Sequence, residues 1–294
     1  MDRARFEGAF TALVTPFRDG EVDEPALRQL VRDQIEGGIS GLCPCGTTGE
    51  SATLSPDEHR RIFDAVVEEN AGRAAVVAGV GTNDTAKSIK LAKAAEEAGC
   101  SGLLVVVPYY SKPSQAGIEA HFRAIADATL LPIMLYDIPG RSVVRLELDT
   151  LVRLTDRTNI VAIKDATGNV ARAQRQFVAL GDRITVLSGD DGLTLPMMAV
   201  GARGVVSVTS NAFPGAVSEI VQLALDGAWD KARAAHLRLL PTHEAMFVEP
   251  NPGPVKALLA ARGKLAPEVR LPLVWPTEQT VAAVEAVVSA AKLG

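Results

Sequence analysis

From residue 9 onward the sequence alternates short apolar runs with longer amphipathic stretches, and it does so eight times. The apolar runs fall at 9–14, 41–45, 75–79, 102–107, 132–136, 160–164, 185–189 and 204–208, with helical periodicity between them at 24–36, 56–70, 85–98, 117–128 and 170–180. The runs are continuous rather than alternating in polarity, so they read as strands covered on both faces, the pattern of a parallel sheet. Eight such units at a spacing of roughly 30 residues predict an α/β fold, a (β/α)8 TIM barrel. Punctuation agrees: Ser55-Pro56-Asp57-Glu58 carries an N-cap serine, a proline at the first helical position and a capping-box glutamate, and Gly37-Gly38, Gly99 and Gly201 fall where helices should stop. Segments 214–226, 228–246, 252–262 and 276–292 read as further helices. Residues 1–212 are accordingly assigned to the barrel and 213–294 to a C-terminal helical region packed on it. A doubly wound open sheet is the competing architecture, but no Gly-x-Gly-x-x-Gly follows a strand.

A chain of 294 residues, 47% of them hydrophobic, can bury a core of barrel size. Its net charge of −5 and interspersed signs leave no basic patch, which argues against nucleic-acid or anionic-membrane partners. No apolar run reaches the roughly 18 residues of a membrane span, and the opening MDRARFEGAF lacks the apolar centre of a signal peptide, so a cytoplasmic protein is expected. Cys43, Cys45 and Cys100 form no Cys-x-x-Cys pair and read as small buried thiols. His59, His121, His236 and His243 all fall in helical segments, without a second ligand at a strand end, so no metal site is expected.

In barrels of this kind the chemistry sits where strands end, and here those ends are polar. The second run leads into Gly46-Thr47-Thr48-Gly49-Glu50-Ser51, the fourth into Pro108-Tyr109-Tyr110, the fifth into Tyr136-Asp137-Ile138-Pro139-Gly140-Arg141, the sixth ends in Lys164, and the seventh leads into Ser188-Gly189-Asp190-Asp191. Only about one solvated lysine in 2,500 is neutral at pH 7, and burial disfavours the ammonium form. A lysine closing a buried strand is therefore either a Schiff-base nucleophile or a side chain snorkelling into water. All three tyrosines of the chain lie at strand ends; each taken singly reads as a rim aromatic, but with Lys164 on a neighbouring strand Tyr136 also reads as a proton shuttle. The glycines of the 46–51 loop let backbone N–H groups approach an anion, with Thr47 and Thr48 adding hydroxyls; the alternative is a plain tight turn.

Gly46-Thr47-Thr48-Gly49-Glu50, Tyr136-Asp137-Ile138-Pro139-Gly140-Arg141 and Ile163-Lys164-Asp165-Ala166-Thr167-Gly168-Asn169, in this order and spacing, resemble the dihydrodipicolinate synthase family within the N-acetylneuraminate lyase superfamily. The resemblance runs from about residue 8 to 272 and takes in Pro108-Tyr109-Tyr110, Ser188-Gly189-Asp190-Asp191 and Asn251-Pro252-Gly253-Pro254-Val255-Lys256. It implies a class I lyase of the diaminopimelate and lysine pathway that condenses pyruvate with L-aspartate 4-semialdehyde and uses neither cofactor nor metal. The protonated imine itself supplies the polarisation. Carried over by residue, Lys164 forms the Schiff base, and Tyr136 relays protons with Thr47 and with Tyr110, the last reaching into a neighbouring subunit's site. Thr48 holds the pyruvate carboxylate, Arg141 the carboxylate of the aldehyde, and Gly189 and the Val206 carbonyl line the pocket. A homo-oligomer, usually a tetramer in this family, is implied.

Two other activities stay open on the sequence: aldolases and dehydratases of 2-keto-3-deoxy sugar acids use the same lysine and tyrosine, and a keto-acid-binding protein could keep the pocket without turnover. Arg141 favours the synthase, since a guanidinium fork suits a small acidic semialdehyde. The resemblance also points to an effector site made of Ser51, Ala52, His59, Asn83, Lys87 and Tyr109. Lysine-inhibited relatives carry an acid where this chain has Lys87, so weak or absent lysine inhibition is expected; His59 and Lys87 read equally well as ordinary solvated helix residues. Asp137 replaces a more usual asparagine, and Gly253 a larger apolar residue.

Overall fold

The computed structural model describes residues 6–291. Eight strands, β1 (Gly8–Ala12), β2 (Gly41–Cys43), β3 (Ala75–Gly79), β4 (Gly102–Val106), β5 (Ile133–Asp137), β6 (Ile160–Asp165), β7 (Thr185–Ser188) and β8 (Gly204–Ser207), run parallel in sequence order. β1 closes the ring by pairing with both β2 and β8, giving the TIM barrel that the eightfold alternation predicts. Each strand leads to a helix on the outside: α1 (Glu24–Glu36), α2 (Pro56–Asn70), α3 (Thr85–Glu97), α4 (Gln115–Asp127), α5 (Leu148–Leu154), α6 (Val170–Leu180), α7 (Thr194–Ala199) and α8 (Pro214–Leu225). Beyond them α9 (Trp229–Ala245), α10 (Gly253–Ala261) and α11 (Glu278–Ala290) pack against α8 and one another. The capping box read at the start of α2 is present: Ser55 Oγ accepts from the Glu58 N–H at 3.2 Å, and Glu58 Oε2 accepts from the Ser55 N–H at 2.8 Å.

Strand alternation divides the apolar core at the barrel wall. Phe10, Cys43, Leu104, Met134, Tyr136, Ala162, Leu187 and Val206 are among the residues filling the inside, while the larger core lies between strands and helices. One irregularity matters for the site. Between Ile133 and Met134 the register of β5 against β6 slips, so that Ile133 pairs with Ile160 but Met134 pairs with Ala162. The bulge left on β6 at Val161 carries Tyr136 opposite Lys164, where an unbroken register would have set it opposite Ile163.

Several local details depart from the sequence reading. The strand expected over 41–45 stops at Cys43, because Cys45 adopts φ +54° and turns the chain into the 46–51 loop. That loop is pressed against β3: a Cβ on Gly79 would sit 2.2 Å from the Cys45 carbonyl oxygen, so only glycine fits there. Helices α5 and α7 are too short for a helical period to register, and a two-stranded ribbon, Phe17–Arg18 with Glu21–Val22, is shorter still.

Candidate active site

At the C-terminal ends of the strands a cavity of about 310 Å³ opens, and its wall includes Thr47, Tyr136 and Arg141. Tyr136 closes β5 from inside the barrel, and Lys164 on β6 lies beside it with Nζ 4.2 Å from the ring centroid. Lys164 is only 5% exposed, and among the described residues no carboxylate pairs with it. The snorkelling alternative is therefore overturned: the side chain turns into the barrel, where the ring face of Tyr136 is its charged head's neighbour. Beneath them the Cys43 thiol is pushed up to about 12 by burial, an effect that Lys164 partly opposes, so that thiol stays protonated.

The 46–51 loop is held by several bonds from distant parts of the chain. Thr48 is buried, and its Oγ accepts from Asn251 Nδ2 at 3.0 Å; with that lone pair occupied, the hydroxyl hydrogen is free to point elsewhere. Glu50 sits at φ +55° and is pinned by Lys256 Nζ at 2.6 Å and by the Arg270 N–H at 2.9 Å. Lys256 is fully buried, its ammonium 4.4 Å over the Phe17 ring, and burial holds its pKa below the usual lysine range against the opposing pull of Glu50. The Arg270 guanidinium grips Glu58 at 2.5 Å and 3.0 Å, which takes that carboxyl down to about 2. The α9–α10 connection and the segment after α10 thus build one side of the cavity, and Asn251, Pro272 and Leu273 appear in its wall.

Of the residues singled out by sequence, Thr47, Tyr136 and Arg141 meet at the cavity, with Lys164 against Tyr136 and Thr48 behind Thr47. Gly189 and Val206 lie on the far arc, at the end of β7 and inside β8, outside the cavity wall. Tyr110 is not brought in at all: it is 86% exposed at φ +71°. Ser51, Ala52 and Tyr109 line the outer part of the same cavity, and the Tyr109 phenol, raised by burial, accepts a backbone hydrogen bond from Asn83. Lys87 is exposed on α3. His59 is not the solvated residue of the plain reading; it is 2% exposed, with Nδ1 2.9 Å from the Ser55 carbonyl oxygen, and burial first, then Lys87, lowers its pKa. Asp137 is turned away from the cavity and pairs with Arg172 at 2.9 Å. Among the described residues no cluster of three His, Cys, Asp or Glu is arranged to hold a metal ion.

Sequence reasoning assigned no role to Asn251, Lys256 or Arg172. The signal for Lys256 was present, a single lysine in the apolar run Pro254-Val255-Lys256-Ala257-Leu258-Leu259, but its partner Glu50 is 206 residues away.

The model of the dihydrodipicolinate synthetase family matches residues 5–291. A curated relative, the 4-hydroxy-tetrahydrodipicolinate synthase of Sorangium cellulosum (strain So ce56), is 54% identical over 95% of this chain and 94% of its own. The crystal structure of dihydrodipicolinate synthase from Aquifex aeolicus shares the fold with a TM-score of 0.96 at 42% identity, over 98% of this chain and 99% of that one. A structure described as the first monomeric dihydrodipicolinate synthase variant matches equally, with a TM-score of 0.96 at 39% identity over 99% of each chain. With the family pattern met from residue 5 to 291 and relatives aligned along nearly their whole length, the chain belongs to the dihydrodipicolinate synthetase family.

Proposed function

We propose that this protein is a 4-hydroxy-tetrahydrodipicolinate synthase, a class I lyase of the diaminopimelate and lysine pathway that joins pyruvate to L-aspartate 4-semialdehyde through a Schiff base on Lys164. The observation that carries this reading is the placement of Lys164 Nζ 4.2 Å from the Tyr136 ring, buried and, among the described residues, without a carboxylate partner, while Tyr136 and Arg141 share the wall of one cavity. Lys164 attacks the ketone carbon of pyruvate, and loss of water leaves an iminium that draws electrons from the adjacent methyl group. Removal of one methyl proton gives an enamine, whose terminal carbon attacks the aldehyde. The amine of the semialdehyde then adds to the iminium carbon, closes the ring and expels Lys164.

Tyr136 is a proton carrier beside Lys164, and Thr47 shares the cavity wall with it. The free hydroxyl hydrogen of Thr48 suits a carboxylate acceptor, and Arg141 at the cavity wall suits the carboxylate of the second substrate. Tyr110 projects from its own barrel, so its part in the relay is assigned to the cavity of a second copy, in a homo-oligomer that the family resemblance makes a tetramer. No helix among the described residues is long and apolar enough to cross a membrane, and three buried unpaired thiols suit the reducing cytoplasm. A coupled assay offering pyruvate with either L-aspartate 4-semialdehyde or the aldehydes of 2-keto-3-deoxy sugar acids tests the substrate choice. Turnover with the semialdehyde is expected; turnover with the sugar-derived aldehydes alone would overturn it.

A further inference from the structure

Behind Tyr136 and Lys164 the two strands carry a second registered pair. Asp137 follows Tyr136, Asp165 follows Lys164, and the two aspartates are opposite one another across β5 and β6. Alternation turns both away from the barrel interior toward the helices, and both are buried. One guanidinium serves them together. Arg172, in the first turn of α6, places Nη2 2.9 Å from Asp137 Oδ2 and Nη1 3.1 Å from Asp165 Oδ2, while Nη2 also donates to the Leu146 carbonyl oxygen. The remaining oxygens are occupied as well: Asp137 Oδ1 accepts from the Leu146 N–H at 3.1 Å, Asp165 Oδ1 accepts from Thr167 Oγ1 at 2.6 Å, and Gln176 Nε2 donates to Asp165 Oδ2 at 2.8 Å. The guanidinium is hydrogen-bonded to Asp165 and to the Leu146 carbonyl oxygen and ion-paired with Asp137, whose Oδ2 accepts no hydrogen bond, and it sits between two strand ends where a bulge has reset their register.

We propose that Arg172 is a positioning residue for the Schiff-base chemistry: by bridging Asp137 and Asp165 it fixes the separation and orientation of Tyr136 and Lys164, the residues preceding them on the same two strands. The inference rests on the roles proposed for Lys164 and Tyr136. It gives Asp137, which touches no part of the cavity, a function that its place in the sequence motif did not reveal. It also makes the clamp sensitive to pH. Two carboxylates share one partly buried cation, with Arg145 the other charged group facing Asp137, and burial first, then Asp165, raises the Asp137 carboxyl to about 6 against the pull of Arg172 and Arg145. As pH falls through that value Asp137 takes up a proton, its attraction to Arg172 is lost, and the fork stays with Asp165 alone.

The test compares the native protein with Arg172→Met, Arg172→Lys and Asp137→Asn, measuring kcat, the pyruvate KM, the pH profile of kcat and the rate at which borohydride traps pyruvate on Lys164. Arg172→Met should lower kcat by about 10- to 100-fold, the scale of a small misplacement of reacting groups, with the pyruvate KM changed by less than about threefold. Arg172→Lys, a point charge that cannot span both carboxylates, should recover only part of the loss. The native kcat should fall on the acid side with a midpoint near 6; in Asp137→Asn, permanently neutral but able to keep the Leu146 hydrogen bond, kcat should stay flat at the native acid-side level. If Arg172→Met does not fold, Asp137→Asn decides alone. An Asp137→Asn profile that keeps the native acid limb, or native kinetics in the Arg172 variants, overturns the inference while leaving Lys164 in place. Absence of any Lys164 adduct in the native protein removes the underlying roles, and the clamp with them.

Discussion

Lys164 and Lys256 are both withdrawn from water, one 5% and the other 0% exposed, yet among the described residues a carboxylate pairs with Lys256 alone of the two. That difference matches the roles proposed for them, Lys164 as nucleophile and Lys256 as a structural cation. A buried ammonium matched by Glu50 at 2.6 Å is held in an ion pair, whereas the buried Lys164 side chain lies against a phenol ring. Removing one partner of a buried pair leaves the other charge stranded, so Lys256→Met should lower the unfolding free energy in urea by about 3–5 kcal/mol. The double change with Glu50→Gln should recover part of it. A single-variant loss below about 1 kcal/mol, the usual worth of an exposed pair, would mean that water reaches Glu50. Asp137 shows the complementary limit of reading residues singly: its neighbour in the chain is catalytic in the proposed reaction, but its own side chain faces Arg172 and the outer helices.

The strands and long helices were legible in the sequence because each repeats a period that its surroundings impose. Continuous apolar runs marked β1 to β8, and 3.6-residue periodicity marked α1, α2 and α6 with the bounds that the structure gives them. The strand ends were legible in part: each of Tyr136 and Lys164 alone reads equally as a rim or snorkelling side chain, and it is their coincidence on neighbouring strands that marked the site. Three features were not. The bulge at Val161 leaves no trace in composition, because Ile160, Val161, Ala162 and Ile163 are apolar in either register. The left-handed turns at Cys45 and Glu50 occupy non-glycine residues and are imposed by tertiary bonds. The bond from Asn251 to Thr48 joins residues 203 apart, beyond any local pattern. What the sequence presented as a helical appendage contributes part of the cavity wall through Asn251, Pro272 and Leu273.

At the scale of the whole molecule, one residue of the proposed relay, Tyr110, lies outside the cavity of its own chain. Tyr110 stands 86% exposed in a backbone conformation that a bulky side chain adopts at a cost, and its own cavity does not include it. If it completes a neighbour's relay, Lys164→Ala and Tyr110→Phe variants, each nearly inactive, should complement when their subunits are randomly mixed. Roughly a quarter of native activity would return, because half of the subunits keep Lys164 and half of those face a neighbour that keeps Tyr110. No recovery on mixing, with hybrids verified by mass, would place Tyr110 outside the relay. The central claim, however, is carried within one chain by Lys164, and the most direct measurement of it is borohydride reduction in the presence of pyruvate followed by peptide mass spectrometry. One pyruvate-derived adduct is expected, on Lys164 and lost in Lys164→Ala; an unmodified Lys164, or an adduct on another lysine, would contradict the Schiff-base mechanism.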